Sequence, residues 1–355
     1  MTDGRKRYNT GMKKIRVAIN GFGRIGRAFY RLAHSESAID VVAINNLGDI
    51  GNLAYLLRHD TVYGGVSFEV LFNEHALIID GKEIPVYAEK DPAKLPWKKY
   101  DVDVVVESTG AFTKYETAKA HLAAGATRVV ITAPVKDDPE AAGVVGATVL
   151  MGVNDSALKT CDVSSNASCT TNAGGPLIAI LDEGIGIEKA MLNTVHGYTS
   201  SQTVVDGTNT KDFRKGRAAA QNIIPSSTGA AIATTKVLPQ LAGKFDGVAM
   251  RVPVPVGSIV DITFVAKRDT TVEEVNTILK KASGEARWKG IFMATDEPIV
   301  SSDIIGNTHA SIADLSFTRV VGGNLVKVFA WYDNEMGYVN TLVRHVMETG
   351  KHIAS

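Results

Sequence analysis

Hydrophobic positions change period repeatedly along this chain. Ile15-Arg16-Val17-Ala18-Ile19 is a short run rich in β-formers, Ile25, Phe29, Leu32 and Ala33 then recur at helical spacing, and Asp40-Val41-Val42-Ala43-Ile44 is strand-like again. Residues 102–106, 129–132 and 149–152 read as further buried strands, with a helical stretch over 115–124 between the first two. Strands alternating with helices of this length predict right-handed βαβ units and a parallel sheet. Beyond about residue 165 the texture changes. Long strands over 247–252, 258–267 and 324–332 dominate with helices between them, which predicts a second domain of α+β type. Residues 334–352 read as one helix with Val339, Leu342, Val343 and Val346 on a common face, suited to packing back on the first domain.

Composition narrows the function classes. At roughly 150 residues per domain, 355 residues allow two domains and a core that needs no disulfide staples. Lys and Arg together number 38, as do Asp and Glu, so no summed charge holds the chain to nucleic acid or an anionic membrane. A local basic patch stays open. The longest uncharged apolar stretch, residues 141–153, falls short of the about 20 residues a membrane span needs. Residues 1–10 are polar and basic and lead to Met12 with no apolar segment, unlike a secretory signal; residues 1–12 are expected to be a flexible extension. The two cysteines, Cys161 and Cys169, lie in neither CxxC spacing nor a His-rich setting. That predicts no disulfide framework and no metal site, and a reducing, cytoplasmic location.

Gly21-Phe22-Gly23-Arg24-Ile25-Gly26 is a GxGxxG run between the first strand and the helix after it. The first glycine permits a tight turn, the second lets backbone approach a pyrophosphate, and the third lets helix and strand pack closely. The helix start supplies free N–H groups and positive dipole. Strand, fingerprint, helix and second strand within about 30 residues favour a dinucleotide site over a structural turn. The acid expected at the end of the second strand, which would accept the adenosine ribose hydroxyls, is replaced by Asn45-Asn46. Asn46 can hydrogen-bond a ribose hydroxyl but does not repel a 2′-phosphate, so the choice between NAD and NADP stays open.

Residues 164–172, Ser-Ser-Asn-Ala-Ser-Cys-Thr-Thr-Asn, are small and polar and precede the helix-like run 176–181. Cys169 is expected at or near that helix start, where the dipole favours thiolate and lowers its pKa. A lone cysteine is otherwise an inert buried hydrophobe, a reading its polar neighbours disfavour. His196 ends the strand expected over 191–196, and a helix out with a strand back brings it near Cys169. Such a pair is a nucleophile and base for carbonyl chemistry, although the spacing alone equally fits a structural histidine. Three clusters suit phosphate: residues 226–231 with hydroxyls before a helix, Arg251 at a strand end, and the basic stretch 211–217. Their bland alternatives are a helix cap, a surface ion pair and a solvated face.

Residues 19–27 (Ile-Asn-Gly-Phe-Gly-Arg-Ile-Gly-Arg), 165–172 (Ser-Asn-Ala-Ser-Cys-Thr-Thr-Asn), 218–231, Arg251-Val252-Pro253 and Trp331-Tyr332-Asp333-Asn334-Glu335 resemble the phosphorylating glyceraldehyde-3-phosphate dehydrogenases, from about residue 13 to the end. The resemblance implies an α/β fold: a Rossmann dinucleotide-binding domain over 13–165 and 334–355, and an α+β catalytic domain with a mostly antiparallel sheet over 166–333. It implies that Cys169 attacks the aldehyde of glyceraldehyde 3-phosphate and His196 is the base. The resulting thioester is released by inorganic phosphate as 1,3-bisphosphoglycerate, in glycolysis or gluconeogenesis. Thr199 and Arg251 match the site for the substrate's phosphate, and Ser168, Thr170, Thr228 and Gly229 the site for the attacking phosphate. Gly21, Gly23, Arg24, Ile25, Gly26, Asn46, Lys90, Thr109, Thr132, Asn334 and Tyr338 match the cofactor site, with NAD the expected cofactor and NADP also accommodated. The family is typically a cytoplasmic homotetramer, with no membrane or specific nucleic-acid partner implied.

The chain also departs from the family's pattern. A second cysteine common after Thr171-Asn172 is Ala173, an acidic residue common after the Tyr-Thr pair is Ser201, and a basic residue three further on is Val204. Asn46, Gly207 and Thr208 differ from the common NAD-specific pattern, and the usual Trp after Asn334-Glu335 is the more flexible Met336. Two rival functions share much of this reading. An erythrose-4-phosphate dehydrogenase has the same Cys–His pair but hydrolyses its thioester, and a non-catalytic dinucleotide or RNA-binding protein has no need of Cys169, His196, Thr228 and Arg251 together.

Overall fold

The computed structural model describes residues 13–353, and the extension expected over residues 1–12 lies outside the described residues. In chain order the first unit contains β1 (Ile15–Asn20), α1 (Arg24–Ala33), β2 (Ile39–Asn45), α2 (Ile50–Arg58), β3 (Val70–Phe72), β4 (Ala76–Ile79) and β5 (Lys82–Tyr87). β6 (Val104–Glu107), α3 (Tyr115–Ala118), α4 (Ala120–Ala123), β7 (Arg128–Ile131), β8 (Gly146–Thr148) and β9 (Val163–Ser165) follow. Among the described residues these strands form one sheet in the order β3-β4-β5-β2-β1-β6-β7-β9-β8. β1 pairs in parallel with β2 and β6, and β7 with β6 and β9, while β3 to β5 form an antiparallel meander. The central strands are apolar on both sides because each side has a cover. Val17, Ile19, Val104, Val106 and Val130 face one core, and Ala18, Val105, Val129 and Ile131 face the other.

The second unit opens with α5 (Cys169–Ile185) and β10 (Ile187–Gly197). It continues with β11 (Ile224–Ser227), α6 (Ala230–Val237), β12 (Phe245–Val252), β13 (Ser258–Ala266), α7 (Val272–Ser283), β14 (Phe292–Thr295), β15 (Ser311–Val321) and β16 (Leu325–Tyr332). Its sheet runs β11-β12-β10-β13-β16-β15-β14, antiparallel except for β10 with β12 and β14 with β15. Burial along β13 alternates strictly, with Val260, Ile262 and Phe264 turned to the core beneath α5 and α7. Such alternation marks a sheet covered on one face by helices.

The last helix, α8 (Met336–Lys351), returns to the first unit and packs on α1. Val339, Leu342, Val343 and Val346 enter the first core. A Cβ on Gly350 would stand 2.2 Å from Ile15 Cδ1, so α8 lies close on β1. Arg24 ties the start of α8 to the first unit by pairing with Glu335 as well as Asp60, and polar ties join the two units: Tyr63 donates to Asp333 at 2.8 Å, and the Lys236 ammonium donates to the Val135 carbonyl at 2.6 Å. Two expected elements differ. The helix expected over 115–124 is broken at Lys119 into α3 and α4. The strand expected over 149–152 is instead β8, which stops at Thr148, because Asn154 accepts from the Leu150 N–H and donates to the Thr148 carbonyl, turning the chain there. No helix among the described residues is long and apolar enough to cross a membrane.

The fingerprint glycines carry a stability consequence. A Cβ on Gly26 would meet the Gly21 carbonyl oxygen at 2.1 Å, a backbone atom that cannot yield, whereas a Cβ on Gly23 would meet nothing within 4 Å. Gly26→Ala is expected to cost about 1–3 kcal/mol of stability by overpacking, and Gly23→Ala to leave it near wild type. Urea unfolding midpoints test this, and an unchanged midpoint for Gly26→Ala would show that the turn has room to move.

Candidate active site

The segment from β9 into α5 is shaped by short polar side chains. The Ser165 hydroxyl donates to the Ala133 carbonyl at 2.7 Å and accepts from the Ala167 N–H at 3.0 Å. Ala167 itself is left-handed, at φ 55°, a conformation that costs a residue bearing a Cβ and persists only where its surroundings fix it. Ser168 then caps α5, its hydroxyl accepting from the Thr171 N–H at 3.1 Å. Cys169 is thereby the first helical residue, and it is half-buried.

The sheet supplies the rest of the centre. His196 ends β10 and stands in register with Arg251 on the parallel strand β12, so both side chains leave the same face. His196 Nε2 lies 3.4 Å from Cys169 Sγ. Its Nδ1 lies 2.7 Å from the Gly197 carbonyl and 2.6 Å from Arg251 Nη1. Those two neighbours demand opposite tautomers. With the proton on Nδ1 it donates to Gly197, leaving the Nε2 lone pair facing the thiol; with Nδ1 accepting from Arg251, Nε2 carries the proton toward sulfur. Tyr332 closes the site, its ring edge-on to His196 and its hydroxyl on those of Thr170 at 3.0 Å and Thr194 at 2.8 Å.

Electrostatics correct one expectation. Burial pushes the Cys169 thiol up, against the lowering effects of the Arg251 charge and of hydrogen bonds at Thr170. The helix start therefore does not by itself give a low-pKa thiol, because the loss of solvent outweighs it. Burial, and after it the Arg251 charge, lower His196 to about 3, against the hydrogen bond to Gly197. Both shifts favour the uncharged pair, a thiol beside a neutral imidazole.

The cofactor-side residues gather at the ends of β1, β2 and β6. Gly21, at φ 94°, packs against Ser108 and Thr109, where a Cβ would approach the Thr109 nitrogen to 2.6 Å. Gly23 caps α1 without any side-chain partner for the first amides and faces open space. This uncapped start with room before it fits a pyrophosphate. Ile25 packs at the edge of the first core. The Arg24 guanidinium, however, is held by Glu335 and Asp60, so its backbone is what remains for a ligand. Asn46 Oδ1 accepts from the Phe22 N–H at 3.0 Å, which leaves its amide N–H groups to donate. Lys90 is exposed, one residue past Glu89, whose backbone pairs with the Asn45 side chain. Thr132 bonds the Glu107 carbonyl through both N–H and hydroxyl, at 3.0 Å each.

Beneath the cleft, the buried Glu107 carboxylate accepts from Asn20 Nδ2, the Thr109 N–H and hydroxyl, and His121 Nε2. Trp97 donates to His121 Nδ1 at 2.9 Å and so fixes the ring proton on Nε2. Asn334 Oδ1 accepts from the Gly257 N–H at 3.1 Å and the Ser258 hydroxyl at 3.0 Å, aiming its own N–H groups elsewhere. Tyr338 donates to the Ala167 carbonyl at 3.2 Å, which ties it to the loop before Cys169.

Of the expected phosphate ligands, Arg251 stands beside the Cys–His pair, with its Nε buried and unpartnered. The Ser168 and Thr170 hydroxyls are engaged with Thr171 and Tyr332. Thr199 bonds within its own turn, to Ser201 and Gln202, and Thr228 to the Ala230 N–H. Gly229 precedes α6 with nothing within 4 Å of a Cβ. Among the described residues, no hydrogen bond joins Thr199, Thr228 or Gly229 to Cys169, His196 or Arg251. The sequence reading gave no role to Tyr332, Ser258 or Glu107, although Tyr332 lies inside the motif that ends with Asn334-Glu335.

Comparison with known proteins agrees with this geometry. Residues 15–115 match the NAD binding domain of glyceraldehyde 3-phosphate dehydrogenase, and residues 168–334 match its C-terminal domain. A glyceraldehyde-3-phosphate dehydrogenase of Streptomyces coelicolor is 47% identical over 342 residues, 96% of this chain and 99% of the relative. Relatives of the same name from Geobacillus stearothermophilus, 48% identical, and, as number 1, from Bacillus subtilis, 47% identical, each share 331 residues, 93% of this chain and 96% of theirs.

Arg251 should govern thiol ionisation. A cation beside the sulfur stabilises the thiolate, so Arg251→Gln removes a lowering influence. The pH midpoint for alkylation of Cys169 by iodoacetamide is expected to rise. A midpoint that stays or falls would show that the guanidinium does not act on the sulfur.

Proposed function

This chain belongs to the glyceraldehyde-3-phosphate dehydrogenase family and is an NAD-dependent oxidoreductase, and from that membership we propose how its own residues divide the reaction. Cys169 Sγ forms a bond to the aldehyde carbon of glyceraldehyde 3-phosphate as the carbonyl π bond breaks, and the thiol proton passes to the aldehyde oxygen, giving a thiohemiacetal. His196 takes the proton of the thiohemiacetal hydroxyl at Nε2, leaving a thioester once the hydride has gone. Bound NAD supplies the acceptor for that hydride. Inorganic phosphate then attacks the thioester carbonyl, the Cys169 sulfur leaves, and the acyl group departs as 1,3-bisphosphoglycerate. The observation that carries this reading is the 3.4 Å approach of Cys169 Sγ to His196 Nε2 at the head of α5.

Arg251 is assigned to the substrate's phosphate, where its unpartnered Nε supports an anion, and Thr199 is assigned to the same group by the family resemblance. Ser168, Thr170, Thr228 and Gly229 are assigned to the attacking phosphate. Gly21, Gly23, Ile25 and Gly26, with the backbone at Arg24, cradle the pyrophosphate. Asn46 and Lys90 serve the adenosine half, and Thr109, Thr132, Asn334 and Tyr338 the nicotinamide half. The domain division at 165 and 333 follows the same reading. A cytoplasmic location and a homotetramer follow from family membership alone, and the homotetramer is further supported by an apolar groove of about 680 Å³ along the catalytic sheet, lined among others by Met191, Ile232, Phe245, Val265 and Leu325.

The test is absorbance of reduced nicotinamide with glyceraldehyde 3-phosphate, with and without inorganic phosphate. Turnover should require phosphate and should be abolished in Cys169→Ser while cofactor binding remains measurable. Turnover without phosphate points to the hydrolytic erythrose-4-phosphate type, and retained turnover in the serine variant overturns the assignment of Cys169.

Cofactor preference follows from Asn46. Its Oδ1 is occupied by Phe22, so it presents donors, which suit a ribose hydroxyl and a 2′-phosphate oxygen alike. NAD and NADP should differ in kcat/KM by less than about 10²-fold, or about 2.7 kcal/mol. Asn46→Asp keeps the bond to Phe22, adds a charge that repels the 2′-phosphate, and should move preference toward NAD. A wild-type enzyme that rejects NADP by a larger factor would locate the exclusion elsewhere.

A further inference from the structure

One buried group of unused chemistry lies behind the nucleophile. His345 on α8 has no exposed surface, and Ser164, Asn166, Ala167, Tyr338 and Thr341 around it are also buried. Its Nε2 lies 2.7 Å from the Ser164 hydroxyl and its Nδ1 lies 3.1 Å from Asn166 Oδ1. The Asn166 amide orientation is set by its neighbour, because Asn166 Nδ2 donates to the Thr341 hydroxyl at 3.3 Å. Asn166 Oδ1 is then an acceptor, so the His345 proton sits on Nδ1 and the Nε2 lone pair accepts from Ser164. Thr341 passes its own hydroxyl proton to the Tyr338 carbonyl at 2.7 Å, and the Tyr338 hydroxyl donates to the Ala167 carbonyl at 3.2 Å.

Every donor in this set points the same way around the loop, from β9 through α8 and back to the residue held at φ 55°. From the loop side, Asn172 Nδ2 donates to the carbonyls of Asn166 and Ser168, at 2.7 and 3.0 Å. Both carbonyls flanking the strained residue are thus fixed from α5, and its own carbonyl and its neighbour's side chain are fixed from α8. Cys169 is two residues further on, so a small rotation at Ala167 changes where Sγ lies relative to His196.

We propose that His345 is a positioning residue for the nucleophile, holding the left-handed turn at Ala167 through Asn166 so that Cys169 faces His196. This rests on the reading of Cys169 as the nucleophile. Burial lowers His345 to about 3, consistent with one neutral tautomer serving as donor on one side and acceptor on the other. The ring touches neither substrate nor cofactor sites; it acts through the loop.

The test compares His345→Leu, which removes both bonds, with His345→Gln, whose amide offers one donor and one acceptor. Two rates are read: alkylation of Cys169 by iodoacetamide, followed by peptide mass mapping, and phosphate-dependent turnover of glyceraldehyde 3-phosphate. The binding constant for NAD is measured beside them. His345→Leu should slow both rates by about tenfold or more, the scale of a displaced reacting group, with NAD binding and KM within about twofold. His345→Gln should restore most of both rates. If His345→Leu does not fold, Ser164→Ala, which deletes only the donor to Nε2, should show the same pattern in smaller measure. Unchanged alkylation and turnover in the folded variants would overturn the proposal. So would equal losses in rate and NAD binding with no rescue by glutamine, which would mark a general packing role. Alkylation reports on the thiol whether or not it is catalytic, so a Cys169→Ser enzyme that still turns over would sink the functional reading separately.

Discussion

The catalytic centre depends on the parallel register between β10 and β12, which sets His196 opposite Arg251. Register in a sheet is all or none: a slip of one residue would turn one of the two side chains to the opposite face. With the register fixed, a base and a cation are forced into contact, and each acquires its character from the other. The guanidinium lowers the imidazole and draws the thiol down against the cost of its burial. An anion on Arg251 would neutralise that influence, so anion binding there and the proton affinity of His196 are linked through one contact of 2.6 Å. The two tautomers available to His196 are the chemical form of that link.

Much of this was legible in the sequence, for identifiable reasons. The GxGxxG turn, α1 and the flanking strands follow from period and glycine placement, since the close approach of Gly26 to the Gly21 carbonyl admits no side chain. α5 was legible because Ser168 caps it and a polar loop precedes an apolar run. The β3 to β5 meander was not, because Ala76-Leu77-Ile78-Ile79 is too short and too uniformly apolar to declare a direction of pairing. The strand placed over 149–152 failed because an Asn154 side chain, not the hydrophobic pattern, ends β8.

The site was read unevenly for the same kind of reason. Cys169 and His196 stand out locally, whereas the state of the thiol is set by how completely the fold encloses it, which no local run of residues records. The helix dipole favoured thiolate; burial won. Arg24 resembled a ligand by its place in the fingerprint, yet its charge is satisfied by Glu335, 311 positions away in sequence. Tyr332 and Glu107 owe their roles to partners brought by distant strands, and Glu107 in particular reads as one more residue of a buried strand until Asn20, Thr109 and His121 converge on it.

The return of α8 onto the nucleophile loop has a consequence for the order in which the chain is made. Ser164 and His345 are separated by 181 positions, and Ala167 and Tyr338 by 171. During synthesis the Rossmann strands, the loop and the whole catalytic sheet emerge before the segment that clamps the loop from behind. Until the final helix is available, Ala167 has only part of its support, and the left-handed turn has less to offset its cost. The loop before Cys169 therefore gains part of its support from a stretch translated after the whole second sheet, and a ribosome-bound chain stopped short of α8 lacks the bonds from His345 and Tyr338.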